Sequence, residues 1–481
     1  MANVTEPGFV HFLAQNIGAT DDALRFLLSV FAGYPLAFIH RLFLHGRPPT
    51  VQHIYFILSG LLLFYFNFGT DLIHAVINVI LIHLLIIFSG GTTFSVAAAF
   101  IFNTSYLVIG YYLNSSYDYV ITWTTPHCVL TLRLTAVVLD VYDGRKKEEK
   151  LSSEQKETVL HKSPSILELL GQTFFFGAFL AGPQFSMRRY LSFTQGAFTD
   201  PQTKAAPASV MPGLTRLLLG VFYVFLYQVV SIFLTENFLY SDEFTKLGFI
   251  TRCALILIVG RIFLCRYIGI WLITEGSCIL TGITYNGKDV NGNNLWDGCT
   301  NIKLYQLEMA STFRDIIASF NHNTNMWMSR YIFKRLRFLG NKVLSQGVTL
   351  FYLALWHGLH SGYYMCFMLE FVMVNAEAKI VQIVQKSPVI LKITSIPSVK
   401  SVLWVVNKLI VTFSLSYALV SFITLDFRIY LKIYSSVYFI AHAAYLSVIV
   451  LNIFIQPVLS SQGQQSSDHH VVDGKKNGKD L

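Results

Sequence analysis

Charge is what this chain has least of. Asp, Glu, Lys and Arg make up 13% of its 481 residues, about half of the roughly 25% that an ordinary soluble domain carries. A chain of this length would normally fold as two or more soluble domains, but it lacks the polar residues to cover them. It also lacks a long polar stretch between two halves, since apolar runs recur from Leu24 to Ile455. Low charge, with 40 Phe and 25 Tyr, excludes a disordered or low-complexity chain. The six cysteines, at 128, 253, 265, 278, 299 and 366, include no CxxC pair. They define neither a zinc site nor a disulfide framework, so no metal is expected. Cys278 and Cys299 flank a polar loop and would pair only if it faced an oxidising lumen. No basic n-region with an apolar core and cleavage site opens the chain, and the first membrane span is expected to serve as the targeting signal. No fixed-period repeat is visible, so the inverted-repeat signature of secondary transporters is missing.

What is present is apolar sequence in membrane-sized pieces. A span needs about 20 mostly apolar residues, and about eleven runs come near that criterion. They centre on Leu24–Phe43, Ile54–Phe68, Leu72–Phe88, Phe94–Tyr112, Val120–Leu139, Ile166–Leu180, Leu214–Phe233, Phe249–Ile273, Val348–Phe371, Val402–Ile423 and Val437–Ile455. The expected fold is all-α and polytopic, with residues 1–457 forming one membrane domain. The segment 458–481 is rich in Ser, Gln, Gly and Asp without apolar periodicity, and is expected to be a disordered cytosolic tail. The net charge is +9, and its Lys and Arg cluster in a few polar loops, chiefly Tyr142–Ser163 and Arg330–Lys342. That is the positive-inside pattern of a membrane protein, and it argues against nucleic acid as a partner. The sequon Asn3-Val4-Thr5 is a glycosylation candidate if the N-terminus is lumenal.

Ionisable groups at membrane depth are costly, and each is by default a functional hypothesis. His357 lies inside the apolar run 348–371, with Gly358 and Gly362 four apart and His360 three residues on. A lone membrane histidine often does no more than tighten helix packing, whereas the two glycines would let another backbone or a lipid chain approach. Upstream, Ser319-Phe320-Asn321-His322-Asn323-Thr324-Asn325 is unusually polar; a solvated turn is its bland reading. Arg330, Lys334 and Arg337 follow at i, i+4 and i+7 beside Arg335, one helical face of phosphate-binding donors if the segment is α-helical. Anchoring to anionic headgroups would explain that face equally well. Buried polar residues of this kind also suit a lipid transporter or scramblase.

Phe320-Asn321 with Thr324 and Trp327, then Tyr331-Ile332-Phe333-Lys334-Arg335-Leu336, then Ala354-Leu355-Trp356-His357-Gly358-Leu359-His360-Ser361-Gly362-Tyr363, resembles the membrane-bound O-acyltransferase family. The segment Trp296-Asp297-Gly298-Cys299-Thr300-Asn301 fits it as well. Many members have Trp-Asn where this chain has Phe320-Asn321, so the residue before the asparagine is not a dependable marker.

The resemblance implies a buried reaction chamber in which an acyl group, expected to be polyunsaturated, passes from acyl-CoA to the free hydroxyl of a lysophospholipid. Choline, ethanolamine and serine lysolipids are the implied acceptors, and residence in the endoplasmic reticulum membrane is implied too. His357 and Asn321 are then the catalytic pair. Trp356, His360 and Tyr363 are candidate chamber-lining residues, and Arg330, Lys334, Arg335 and Arg337 candidate ligands for the CoA phosphates. Acyl-CoA is a co-substrate, and no bound cofactor is expected. A histidine with an ordinary pKa near 6.5 is neutral when desolvated and suited to accept the hydroxyl proton. Direct transfer is favoured over an acyl-cysteine. On one continuous helix Cys366 would stand about two and a half turns from His357.

Overall fold

The structure, a computed structural model, describes residues 9–114, 120–199 and 206–454. The sequon at Asn3 and the tail 458–481 lie outside the described residues. Within them the secondary structure is helical, and one isolated bridge, Lys288 with Asn294, stands outside it. The helices used below are α1 (Asp21–Ile39), α2 (Pro49–Phe68), α3 (Leu72–Ser89), α4 (Thr93–Leu113), α5 (Thr124–Asp143), α6 (Ile166–Thr173) and α7 (Val210–Phe233). They continue with α8 (Phe249–Thr281), α9 (His322–Tyr331), α10 (Lys342–His357), α11 (Ser361–Lys386), α12 (Pro397–Thr424), α13 (Phe427–Ser436) and α14 (Ile440–Phe454).

Their starts follow from local chemistry. Thr20 caps α1 by accepting from the Ala23 amide, and Asp21 and Asp22 add charge at the positive end of the helix dipole. Pro49 opens α2 at a position where its missing N–H costs nothing. Ser165 and Glu168 form a reciprocal capping box at the head of α6.

Among the described residues, six stretches are long and apolar enough to cross a bilayer: Asp21–Leu44, Pro49–Ser89, Thr93–Leu113, Val210–Phe233, Phe249–Thr281 and Pro397–Thr424. A seventh results if α13 and α14, bent by 78° at their junction, count as one broken span. Their outward residues, among them Leu62, Phe88, Phe225, Phe233 and Ile250, are exposed apolar side chains, as lipid contact requires. The protein is a multi-pass membrane protein.

Fewer stretches qualify than the apolar runs suggest, for identifiable reasons. The runs 54–68 and 72–88 join through the turn Gly69–Asp71 into one stretch of 41 residues. The run 120–139 is α5, buried along almost its whole length, including Arg133. The run 166–180 is only the eight-residue α6 followed by irregular chain. The run 348–371 is two helices, since α10 stops at His357 and α11 starts at Ser361.

The described chain divides into two compact units. The first holds the described residues of 9–232, 262–303 and 319–359; the second holds 233–261, 304–318 and 360–454. The first is built around an aromatic core of Phe56, Phe174, Phe175, Phe176, Tyr190 and Phe193. Buried Arg133 stabilises it by donating to the carbonyls of Gln172 (2.7 Å) and Thr173 (3.2 Å), the last residues of α6. Charge at a helix C-terminus is thereby matched and orphan carbonyls are satisfied.

The second unit packs Tyr417, Tyr430 and Tyr434 in its core, with Tyr417 and Tyr434 stacked at 4.6 Å. In it α11 meets α12 at Gly362, where an added Cβ would lie 2.0 Å from the Ser421 carbonyl oxygen. Backbone leaves no room there, so Gly362→Ala is expected to cost about 1–3 kcal/mol through overpacking, measured as a lower thermal midpoint in detergent.

Candidate active site

His357 is the last residue of α10, and the sequence ends the helix there by means of Gly358. Gly358 adopts φ 148°, ψ −173°, a conformation essentially closed to other residues, and its N–H returns to Ala354 O at 3.2 Å. Gly358 therefore sets the stop after the histidine, and Gly362 serves close packing in the next helix. The two do not form one small-residue stripe. His360 is likewise not one turn along from His357 but the residue preceding α11, with φ −67° and ψ 137°. The helical separation of Cys366 from His357 also lapses, because no single helix joins them.

The end of α10 is tightly held. Tyr111 of α4 donates to the carbonyl of Trp356 at 2.8 Å, and Trp356 Nε1 donates to the Cys128 carbonyl of α5 at 2.8 Å. Tyr352 lies within hydrogen-bonding distance (3.2 Å) of Thr104 on α4. The His357 ring sits edge-on to Trp356 at 4.6 Å and is half-buried. A helix C-terminus carries partial negative charge and favours a cation by about 0.3–1 kcal/mol. The ring thus lies at the end of the helix that favours a cation. Trp356 is buried as a member of this clamp; Tyr363 lies in the second unit, packed against Phe422 at 4.9 Å.

Asn321 occupies the N-cap position of α9 in the left-handed region, φ 47° and ψ 42°. Asparagine is a preferred N-cap residue in the extended conformation, yet its side chain caps nothing here. Among the described residues its amide makes no hydrogen bond, and the residue is half-buried. Trp327 and Tyr331 on the same helix anchor it: Trp327 Nε1 donates to Leu132 O at 2.9 Å and the Tyr331 hydroxyl to Asp140 at 2.9 Å. Trp327 stacks on Tyr352 of α10 at 6.3 Å, tying the asparagine-bearing helix to the histidine-bearing one. The polar stretch 319–325 is accordingly a helix start packed into the first unit, with Ser319 and Thr324 buried, and not a solvated turn.

The basic segment differs from its expected geometry. Only Arg330 belongs to α9; residues Phe333–Leu339 form a 3₁₀ helix after a break at Ile332. With three residues per turn, Lys334 and Arg337 share a face that excludes Arg330. Three of the four cations are also engaged by acids at the end of α5 and in the segment that follows it. Arg335 Nη2 pairs with Asp143 at 2.5 Å, Arg330 with Glu157 at 3.1 Å, and Lys334 with Glu154. Asp143 is buried and also accepts from Lys146 (2.8 Å) and Gln155 (3.0 Å). Nearby, burial pushes the Asp140 carboxyl up to about 7, against the lowering effect of its bonds from Thr158 and Tyr331. Arg337 is exposed and has no ion pair among the described residues. Arg335→Ala should therefore destabilise the fold by about 1–3 kcal/mol, the cost of leaving a buried carboxylate short of a donor. Arg337→Ala should leave the unfolding temperature unchanged.

The acids of the 142–163 loop are easily overlooked beside its more numerous cations, and they are what the basic segment binds. Glu275 is a second residue the sequence pattern leaves unmarked, although an acid in an apolar run is what membrane depth should single out. It is fully buried on α8, paired with Arg216 at 3.3 Å, and accepts from Thr300 Oγ1 at 3.1 Å. Cys278 and Cys299 are buried and unbonded to each other, directed at the carbonyls of Gly177 and Ile283 respectively.

Residues 108–420 match the membrane-bound O-acyltransferase family. The chain belongs to that family. It is 41% identical over 463 residues to lysophospholipid acyltransferase 5 of Homo sapiens, covering 95% of each chain. It is 34% identical over 470 residues to lysophospholipid acyltransferase 5 of Caenorhabditis elegans, covering 98% of this chain and 99% of that protein. A lysophospholipid acyltransferase of Schizosaccharomyces pombe is 29% identical over 489 residues, covering 96% of this chain and 91% of that protein. The family resemblance carried by Asn321, the basic segment and the Trp356-His357-Gly358 string thus extends over nearly the whole chain. The protein is a membrane-embedded acyltransferase.

Proposed function

We propose that this acyltransferase moves an acyl group from acyl-CoA to the free glycerol hydroxyl of a lysophospholipid, by direct transfer with His357 as general base and Asn321 as its polar partner. The observation that carries the reading is the condition of the two side chains. The histidine stands at the negative end of a clamped helix, and the asparagine occupies a cap position without capping.

In this mechanism neutral His357 takes the hydroxyl proton as that oxygen attacks the thioester carbonyl. The C–O bond forms, the C–S bond breaks, and the proton passes to the departing CoA sulfur, giving a diacyl phospholipid and free CoA. The α10 dipole stabilises the imidazolium in between. The Asn321 amide, uncharged at any pH, donates to the thioester oxygen as negative charge develops there. A chamber walled by membrane helices keeps out water that would hydrolyse the donor. The acceptors carry choline, ethanolamine or serine headgroups, and polyunsaturated chains are preferred. The protein works in the endoplasmic reticulum membrane with its C-terminus in the cytosol, remodelling membrane phospholipids.

Arg337, exposed and unpaired among the described residues, is the first cation proposed for the CoA phosphates, with Lys334 beside it on the same face. Arg330 and Arg335 would have to exchange acidic partners to join them. Arg337→Ala is expected to raise KM for acyl-CoA about tenfold, as one lost charge-assisted bond would, with kcat and KM for the lysolipid unchanged.

The test of the whole reading is thiol release from acyl-CoA by the purified protein, measured with a panel of lysophospholipids. Release that depends on the lysolipid and vanishes in His357→Ala supports it. Lipid movement between vesicle leaflets without thiol release would show a scramblase instead.

A further inference from the structure

An asparagine at the head of a helix ordinarily spends its side chain on the helix, because the first amides of any α-helix have no intrahelical acceptor. Asn321 does not, yet the first two amides of α9 are satisfied. The His322 N–H donates to the backbone carbonyl of Asn301 at 2.9 Å, and the Asn323 N–H to Asn301 Oδ1 at 3.2 Å. Asn323 Nδ2 reaches back to the Cys299 carbonyl at 2.9 Å, and the Lys303 N–H bonds the Ser319 carbonyl at 2.9 Å. Both amides at the helix head thus bond to a residue about twenty positions upstream, across a doubly stitched turn.

That turn is itself held from behind. Glu275, without solvent exposure, accepts from Thr300 Oγ1 at 3.1 Å and from the Asn301 N–H at 3.4 Å, and its charge is balanced by Arg216 at 3.3 Å. Cys299, Thr300 and Asn301 are all buried. One turn before Glu275 on the same face of α8, Trp271 packs on Phe320 with ring centroids 5.2 Å apart. A single helix face therefore steadies both the residue before Asn321 and the turn that caps the helix after it. The left-handed backbone at Asn321 is a sparsely populated conformation and persists where its surroundings over-determine it.

We infer that Asn301, anchored by Glu275, is a positioning residue that takes over the N-cap duty of α9 and so leaves the Asn321 amide available to the reacting groups. This inference rests on the proposal that Asn321 acts in the transfer. Removing the Asn301 side-chain oxygen gives the Asn321 side chain an orphan amide to turn towards, its ordinary role in helices. The loss should fall on kcat and not on substrate affinity.

The experiment is a double-mutant cycle on the purified full chain, with kcat and both KM values read from CoA thiol release and product lipid quantified by mass spectrometry. Asn301→Ala is expected to lower kcat about tenfold to a hundredfold, the size of one misplaced polar contact, with both KM values within twofold of wild type. Asn301→Asp keeps the acceptor oxygen and should restore most of the rate. In an Asn321→Gly background, adding Asn301→Ala should change kcat less than twofold, because the group it positions is already gone. A further loss of the same factor there, or wild-type kcat in Asn301→Ala alone, overturns the inference. Full activity of Asn321→Gly by itself would instead overturn the catalytic reading of Asn321. Thr300→Val, which withdraws one donor from Glu275 and leaves the cap in place, supplies a second arm. It should lower kcat by a smaller factor, again only when Asn321 is present, and an equal fractional loss in both backgrounds counts against the inference. Should Asn301→Ala not fold, Thr300→Val carries the same comparison.

Discussion

Purified His357→Ala is expected to transfer acyl groups about 10²–10⁴-fold more slowly than wild type, the usual worth of a positioned general base. Its unfolding temperature in detergent should stay close to the wild-type value. The second half of this statement separates catalysis from packing. The half-buried imidazole contributes an edge-on contact with Trp356, whereas the end of α10 is held by bonds from Tyr111 and to Cys128 that do not involve the imidazole. Truncation should therefore leave the helix end in place while removing the base. A variant with normal stability and full acyl transfer would rule out the assignment. A variant that loses activity only because it unfolds would move His357 to a structural role.

For Asn321 the backbone supplies a control that ordinary substitutions lack. Removing one preorganised donor from a developing oxyanion costs about 10²–10³-fold in kcat, and that loss is expected for both Asn321→Ala and Asn321→Gly. The two variants should part company in stability. Alanine must hold φ 47° against its own Cβ, at a cost of about 1–2 kcal/mol, whereas glycine adopts it freely. Equal losses of kcat with a lower unfolding temperature only in Asn321→Ala would assign the catalytic defect to the amide. If Asn321→Gly instead recovered the activity that Asn321→Ala lacks, the residue would matter for its backbone alone.

Much of the candidate site is legible in the chain's chemistry. Membrane depth makes an ionisable residue expensive, and that rule alone separates His357 from its surroundings. The polar cluster around Asn321 stands out for the same reason, and the strings around both residues carry the family. Continuity is what hydropathy misjudges. The apolar run through His357 reads as one helix because hydropathy is blind to Gly358, whose φ of 148° stops the helix one residue after the histidine. The even spacing of Arg330, Lys334 and Arg337 reads as one face only if the helix is α throughout, and the 3₁₀ segment undoes it.

Composition and pattern by themselves determined that the protein lives in a membrane, that it is helical, and which chemistry-bearing residues it retains there, because a shortage of charge and long apolar runs are properties of the chain alone. Only the tertiary structure decided what those residues are bonded to. Asp143, Glu154 and Glu157 are far in sequence from the cations they engage, and Asn301 is remote from the helix it caps. Such pairings arise from packing between distant segments, where a buried charge or an orphan amide must find a partner or forfeit its solvation free energy. Hydropathy registers that a polar group is out of place, and the fold supplies the group that answers it.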